Sequence, residues 1–195
     1  MIKPFPNKKY NIIYADPPWS YNDTQESGGT KYFGASVRYE LMKNDDIYNL
    51  SIKNIADKNC TLFLWATSPL LQEAFKTISE WGFKYKTVAF CWNKVSKHYK
   101  DISNMGRWTM GNIELCLLGT RGKPQRRRKD IKQLVREIRY KHSEKPHIVR
   151  ERIVELMGDI PRIELFTRHK VDGWDSYGNE ELQEAYIQDK IFKEK

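Results

Sequence analysis

Apolar residues along this chain fall into short continuous runs rather than long helical stripes. The run Asn11-Ile12-Ile13-Tyr14 is β-branched and aromatic and is stopped by two prolines. It predicts a buried strand over about residues 10–15. Thr61 to Ala66, Tyr85 to Trp92, Ile113 to Gly119 and Arg162 to Phe166 read as further strands. Between them the spacing turns helical. Leu41 to Ala56 places Ile47, Leu50 and Ile55 on one face, with Asn44-Asp45-Asp46 suited to its first turn. Ser68-Pro69 opens a helix that runs to about Trp81, where Gly82 stops it. Ser143 suits the cap of a helix from Glu144 to Met157, and Glu180 to Phe192 has helical spacing. Strands alternating with helices predict an α/β chain with a mostly parallel central sheet and helices on both faces. Residues 93–112 and 172–179 read as loops, and the polar segment 22–30 as either a loop over a ligand site or a surface insertion.

Composition narrows this picture. The 195 residues fit one domain, 1–195, and a hydrophobic fraction of 39% suits a globular fold. No run reaches the roughly 18 apolar residues of a spanning helix, and residues 1–6 lack a secretory pattern. No membrane association and a cytoplasmic location are expected. Cys60, Cys91 and Cys116 are odd in number and lack metal-ligand spacing, so free thiols and no metal are expected. The net charge of +9 is concentrated: residues 121–152 hold 13 Lys/Arg and 4 Asp/Glu, while the rest holds 21 of each sign. Such a block fits either a nucleic-acid footprint or a solvated basic helix face.

The chemistry is densest at Asp16-Pro17-Pro18-Trp19, just past the first strand. Parallel α/β sheets bind ligands beyond the carboxyl ends of their strands. An exocyclic amine such as adenine N6 is a weak nucleophile, because its lone pair is delocalised into the ring. Two acceptors aimed at its hydrogens, the Asp16 carboxylate and the Pro17 carbonyl, would localise that lone pair as a methyl group arrives. Pro18 shapes the turn, and Trp19 offers a flat face for a base taken out of its stack. A strand-end turn with a capping Asp and a packed Trp is the plainer alternative. Trp108, in the basic loop 93–112, suits stacking on a base or packing within the loop.

These residues resemble the S-adenosyl-L-methionine-dependent N6-adenine methyltransferases marked by Asp-Pro-Pro-Trp. That family includes bacterial and phage DNA methyltransferases and the catalytic subunit of the eukaryotic mRNA adenosine methyltransferase. The resemblance runs from about Tyr10 to Glu180 and extends to Leu62–Trp65, Trp81-Gly82-Phe83, Glu114–Gly119, Arg121–Pro124, Lys145-Pro146, Ile163–Phe166 and Gly178-Asn179-Glu180. It implies a Rossmann-like methyltransferase fold in which the catalytic strand comes first and the cofactor-binding strand late. Accordingly, no early Gly-x-Gly-x-x-Gly is present. By resemblance, Phe166 and Arg168 lie beside the cofactor, Asn179 and Glu180 bind its ribose hydroxyls, Arg121 meets its carboxylate and Asp16 its ammonium. Taken alone, Asn179 also suits a helix cap and Glu180 a first helical turn. Tyr39 matches a tyrosine near the substrate base, and His169 is a weaker match in a shorter loop.

Two departures stand out: Glu180 replaces a glutamine of the mRNA enzyme, and no amino-terminal zinc-finger region is seen. The second favours DNA as substrate. Arg107, Trp108 and the run Arg126, Arg127, Arg128 are the expected nucleic-acid contacts, within segments 93–112 and 121–145. Adenosine in RNA, cytosine N4, and a noncatalytic nucleic-acid-binding subunit stay open as alternatives. A homodimer and a separate partner subunit also stay open.

Overall fold

The computed structural model describes residues 4–20, 41–105, 108–139, 144–167 and 169–178. Seven strands form one sheet: β1 (Tyr10–Ala15), β2 (Ala56–Ala66), β3 (Lys84–Val95), β4 (Ile113–Arg121), β5 (Leu134–Ile138), β6 (Arg162–Leu165) and β7 (Asp175–Tyr177). Their spatial order is β5-β3-β4-β2-β1-β6-β7. β1 runs parallel to β2 and β6, β6 to β7, and β3 to β5. β4 is antiparallel to both of its neighbours, β2 and β3. Every described strand except β4 therefore points the same way, in keeping with a mostly parallel, Rossmann-like sheet.

Alternation along β1 divides the interior into two cores. Ile13 and Ala15 face one side, with Ile47, Leu62, Leu64, Ala74, Ile78 and Trp81. Ile12 and Tyr14 face the other, with Phe63, Trp65, Val149, Ile153 and Met157. Because both faces are covered, β1 reads as a continuous apolar run with no polar alternation. Helices α1 (Asn44–Tyr48) and α2 (Leu71–Glu80) cover the first face, and α3 (His147–Met157) the second. The wholly buried Trp81 donates its indole N–H to the Ile47 carbonyl at 2.8 Å, tying α2 to α1.

Several boundaries differ from those expected. The helix expected over 41–56 is cut to the five residues of α1. Asn49 caps it, Ile52–Asn54 tightens into a 3₁₀ turn, and Ala56 already belongs to β2. Ile47, Leu50 and Ile55 are nonetheless buried, because that turn keeps them on one side. The helix expected from Glu144 starts at His147, with Pro146 at its N-cap, and Ser143 lies outside the described residues. The loop expected over 172–179 contains strand β7, and strand β5 lies inside the basic segment. Segment 22–30 and the helix expected from Glu180 also lie outside the described residues.

Candidate active site

Asp16 leaves the carboxyl end of β1, and the next four residues make a fixed turn. The Trp19 N–H donates to the Pro17 carbonyl at 2.8 Å, and the Met42 N–H to the Pro18 carbonyl at 3.0 Å. Neither proline has an N–H of its own to satisfy, so the turn holds without further donors. The Pro17 carbonyl thus accepts one hydrogen bond, and its oxygen carries a second lone pair. Trp19 does not present a face for stacking. It is 6% exposed, packs within the first core, and donates its indole N–H to the Trp65 carbonyl at 3.1 Å. The expected base-stacking role of Trp19 is therefore corrected: the indole anchors the turn to β2.

The Asp16 carboxylate meets a buried cation. Lys145, whose side chain is 9% exposed, places its ammonium 2.6 Å from Asp16 Oδ2 and 3.3 Å from Glu114 Oε2. Glu114 is also paired with Lys94 at the end of β3. Lys145 lies over the Trp65 ring, 5.5 Å from its centroid. Trp65 in turn donates its indole N–H to the Tyr14 hydroxyl at 2.6 Å. The order Lys94–Glu114–Lys145–Asp16 alternates in sign, which is what allows four charges to sit in a largely dry place.

Each charge in this row is shaped by its neighbours. Burial pushes the Asp16 carboxyl up from its ordinary range, against the opposing charge of Lys145. Burial works against the Lys145 ammonium too, but the Asp16 and Glu114 carboxylates hold its proton more tightly than an ordinary lysine's. Burial alone would raise Glu114, yet Lys145 and Lys94 pull it below its ordinary value. Beside this row, Arg150 of α3 grips Glu164 of β6 bidentately at 2.7 and 2.6 Å and lies 5.7 Å from the Tyr14 ring centroid. The charge on Glu164 also reaches Asp16.

Glu114 and Lys145 carry this arrangement, and the sequence reading assigned neither a role. Both stood inside quoted motifs, Glu114–Gly119 and Lys145-Pro146, so their positions were visible. Their meeting with Asp16 was not. It depends on β4 running backwards, which puts the start of that strand at the same end of the sheet as the end of β1, across β2.

The same reversal displaces Arg121. It ends β4 opposite Cys60 in the first half of β2, and it donates to the Lys53 carbonyl at 3.0 Å. Seven residues of strand separate it from Glu114, or about 23 Å. The expected contact between Arg121 and the cofactor carboxylate is corrected accordingly. Arg126, Arg127 and Arg128 follow it to the far end. The Arg127 N–H donates to the Leu156 carbonyl near the end of α3, and Arg128 is paired with Asp130 and Glu155. They therefore lie away from Asp16, at the opposite end of the sheet. Trp108 lies in the β3–β4 connection, at the Asp16 end, and is 98% exposed.

At the end of β6 the backbone turns sharply. Phe166 adopts φ +63°, uncommon for a residue with a side chain, and its N–H donates to the Tyr177 carbonyl at 2.6 Å. Gly178 sits so close to this turn that a Cβ there would lie 2.5 Å from the Thr167 carbonyl oxygen. β1, β6 and β7 thus end side by side, with Phe166, Gly178 and Asp16 around the same edge. The residues at this edge fit an S-adenosylmethionine molecule: parallel strand ends, an aromatic ring, a position without room for a side chain, and a carboxylate for an ammonium. Arg168, Asn179, Glu180, Tyr39 and Arg107 lie outside the described residues.

Cys60 and Cys116 are buried free thiols and Cys91 a half-buried one. No cluster of metal-ligating side chains occurs among the described residues. No helix among them is long and apolar enough to cross a membrane.

Comparison with known proteins identifies the family. The chain is 35% identical to the Type II methyltransferase M.MunI of Mycoplasma sp, over 90% of this chain and 79% of that protein. It is 29% identical to the N(6)-adenosine-methyltransferase subunit METTL3 of Danio rerio, over 88% of this chain and 28% of that one. It is 30% identical to the N6-adenosine-methyltransferase non-catalytic subunit MTB of Arabidopsis thaliana, over 60% of this chain and 15% of that one. The chain thus spans less than a third of each of these two eukaryotic relatives. The MT-A70 family model matches residues 10–180, from the first residue of β1 to beyond β7. With Asp16-Pro17-Pro18-Trp19 at the end of β1 and a cofactor edge beside it, the chain belongs to the MT-A70 family of S-adenosylmethionine-dependent N6-adenine methyltransferases.

Proposed function

We propose that this chain methylates the N6 amino group of adenine in DNA, in the cytoplasm, with the target base turned out of its helix toward Asp16. The observation that carries this reading is the Asp16 carboxylate, held at the end of β1 by a buried ammonium 2.6 Å away. When bound, S-adenosylmethionine would supply the electrophilic methyl group, its methyl–sulfur bond breaking so that it leaves as S-adenosylhomocysteine. Phe166 and Asp16 would hold it, together with Arg168, Asn179 and Glu180 by resemblance. The protein's own residues hold and polarise the amine.

The amine donates one hydrogen to Asp16 and the other to the second lone pair of the Pro17 carbonyl. The nitrogen lone pair is thereby turned toward the methyl group. As the N–C bond forms, the amine loses a proton. Asp16, whose burial raises its affinity for protons, takes that proton and passes it to solvent. Lys145 fixes the carboxylate in place and keeps it ionised beforehand. Alignment in a largely dry site accounts for the rate without a covalent enzyme intermediate. Trp108, exposed at the same end, is a candidate contact for the polymer around the target base.

DNA is favoured over RNA because the named relative matched over most of its own length is a Type II methyltransferase, whereas the adenosine methyltransferases are matched over a small part. The deciding experiment offers labelled S-adenosylmethionine with duplex DNA, RNA and cytosine-only oligonucleotides, followed by nucleoside mass spectrometry. N6-methyldeoxyadenosine upholds the reading. N6-methyladenosine from RNA alone, or N4-methylcytosine, replaces it. Binding of nucleic acid without transfer to any substrate points to a noncatalytic subunit, the role named for MTB.

A further inference from the structure

We propose that the end of the sheet opposite Asp16 is a second contact surface for the phosphate backbone of nucleic acid, separate from the target-base site. This rests on the reading that the substrate is a nucleic acid.

Here the starts of β1, β2 and β3 meet the end of β4, and cations from four sequence regions converge. Lys9 donates to the Asn54 carbonyl at 2.7 Å, and Arg121 to the neighbouring Lys53 carbonyl at 3.0 Å. Lys84 pairs with Thr120, one residue before Arg121. Gly122, at φ +65°, is pressed against the Lys58 carbonyl, where a Cβ would come within 2.1 Å. The Lys123 N–H donates to Asn59 Oδ1 at 2.8 Å. The Arg127 side chain lies over Gly158, just past α3.

Lys9, Lys53, Lys58, Lys84, Lys123 and Arg126 are exposed. Among the described residues none of Lys53, Lys58, Lys84, Lys123 and Arg126 has a carboxylate partner. The carboxylates nearby are engaged or few. Asp57 accepts the Asn59 N–H, Asp159 is paired with Arg162, and Glu80 ends α2. The hydrogen bonds that build this end use the backbone carbonyls of Lys53 and Lys58 and leave their ammonium groups to solvent. An array of solvated cations suits phosphates spaced along a polymer.

The surface lies about 20 Å along the strands from Asp16. The contact is with a segment of the same polymer next to the one that presents a base at Asp16. Two contacts on one polymer raise the local concentration of target sites without altering the chemical step.

The test removes three charges by Lys58→Gln, Lys84→Gln and Lys123→Gln together. A control removes three elsewhere by Lys76→Gln, Lys132→Gln and Lys170→Gln. Affinity for a G·C-only duplex of about 40 base pairs is measured against salt without cofactor, so that binding is read apart from catalysis. The far-end variant is expected to bind at least about tenfold more weakly than the control, with a salt slope reduced by about 2 to 3. Its kcat on a short adenine-containing duplex should stay within twofold of wild type. Equal losses in the two variants, or an unchanged slope in the first, would overturn the surface. A far-end variant whose kcat falls on the short duplex would also overturn it, because the two contacts would not be separate. If no substrate is methylated but the far-end variant alone loses affinity, the methylation reading fails and the surface stands.

Discussion

At the carboxyl end of β1, Lys94, Glu114, Lys145 and Asp16 alternate in sign and are largely withdrawn from solvent, with Arg150 and Glu164 paired beside them. At the opposite end, Lys53, Lys58, Lys84, Lys123 and Arg126 stand in solvent without carboxylate partners among the described residues. Charge is used differently in the two places. In a dry setting an ion pair is costly unless its geometry is good, so it fixes atoms in position. In water the same charges fix nothing, but they attract polyanions over about a Debye length and respond to salt. One end is built to place a single amine, and the other suits a polymer of no fixed sequence.

Substitutions at the buried end should have the larger effects. Asp16→Ala should reduce methyl transfer by about a thousandfold or more, because an acceptor aimed at the reacting group is lost. Its far-ultraviolet circular dichroism should remain native, and substantial residual transfer would contradict the role given to Asp16. Lys145→Met should leave Asp16 and Glu114 without their shared cation and destabilise the fold by about 3 kcal/mol in denaturant titration.

The same variant tests the pH dependence. In the proposed mechanism Asp16 is ionised to accept the amine hydrogen, and its proton affinity is already raised by burial. Activity is therefore lost as pH falls through a value above that of an ordinary aspartate. Removing the Lys145 charge raises that value again, so the acidic limb of kcat should move to higher pH. A limb that stays in place would mean that Lys145 does not control Asp16.

Arg150→Met should also cost about 3 kcal/mol, since it strands the buried Glu164 carboxylate, with a smaller loss of transfer than at Asp16. At the other end, Gly122→Ala should destabilise by about 2 kcal/mol through its left-handed backbone and the Lys58 carbonyl, with kcat per folded molecule unchanged. Arg128→Gln should move neither melting temperature nor transfer rate, because its pairs with Asp130 and Glu155 are exposed. A marked effect of Arg128→Gln on transfer would blur the contrast between the two ends.

Much of this molecule was legible from residue order alone. A strand buried on both faces must be apolar throughout, so β1, the core of β2 and β6 announced themselves. Asp16-Pro17-Pro18-Trp19 marked the chemical end of β1, because prolines stop a strand and a carboxylate there needs a purpose. Ser68-Pro69 and Gly82 bounded α2 through backbone geometry that neighbours do not alter. Strand direction was not legible, since a strand has the same side-chain alternation whichever way it runs. That single unknown, the reversal of β4, decided which residues met. It brought Glu114 to Asp16 and carried Arg121 about 20 Å away. The indole of Trp19 likewise gave no sign in the sequence of whether it would face a ligand or the Trp65 carbonyl. Local chemistry determined which elements form and where a ligand edge lies, and only tertiary packing, which sets direction and burial, decided which charges share the site and which are left to water.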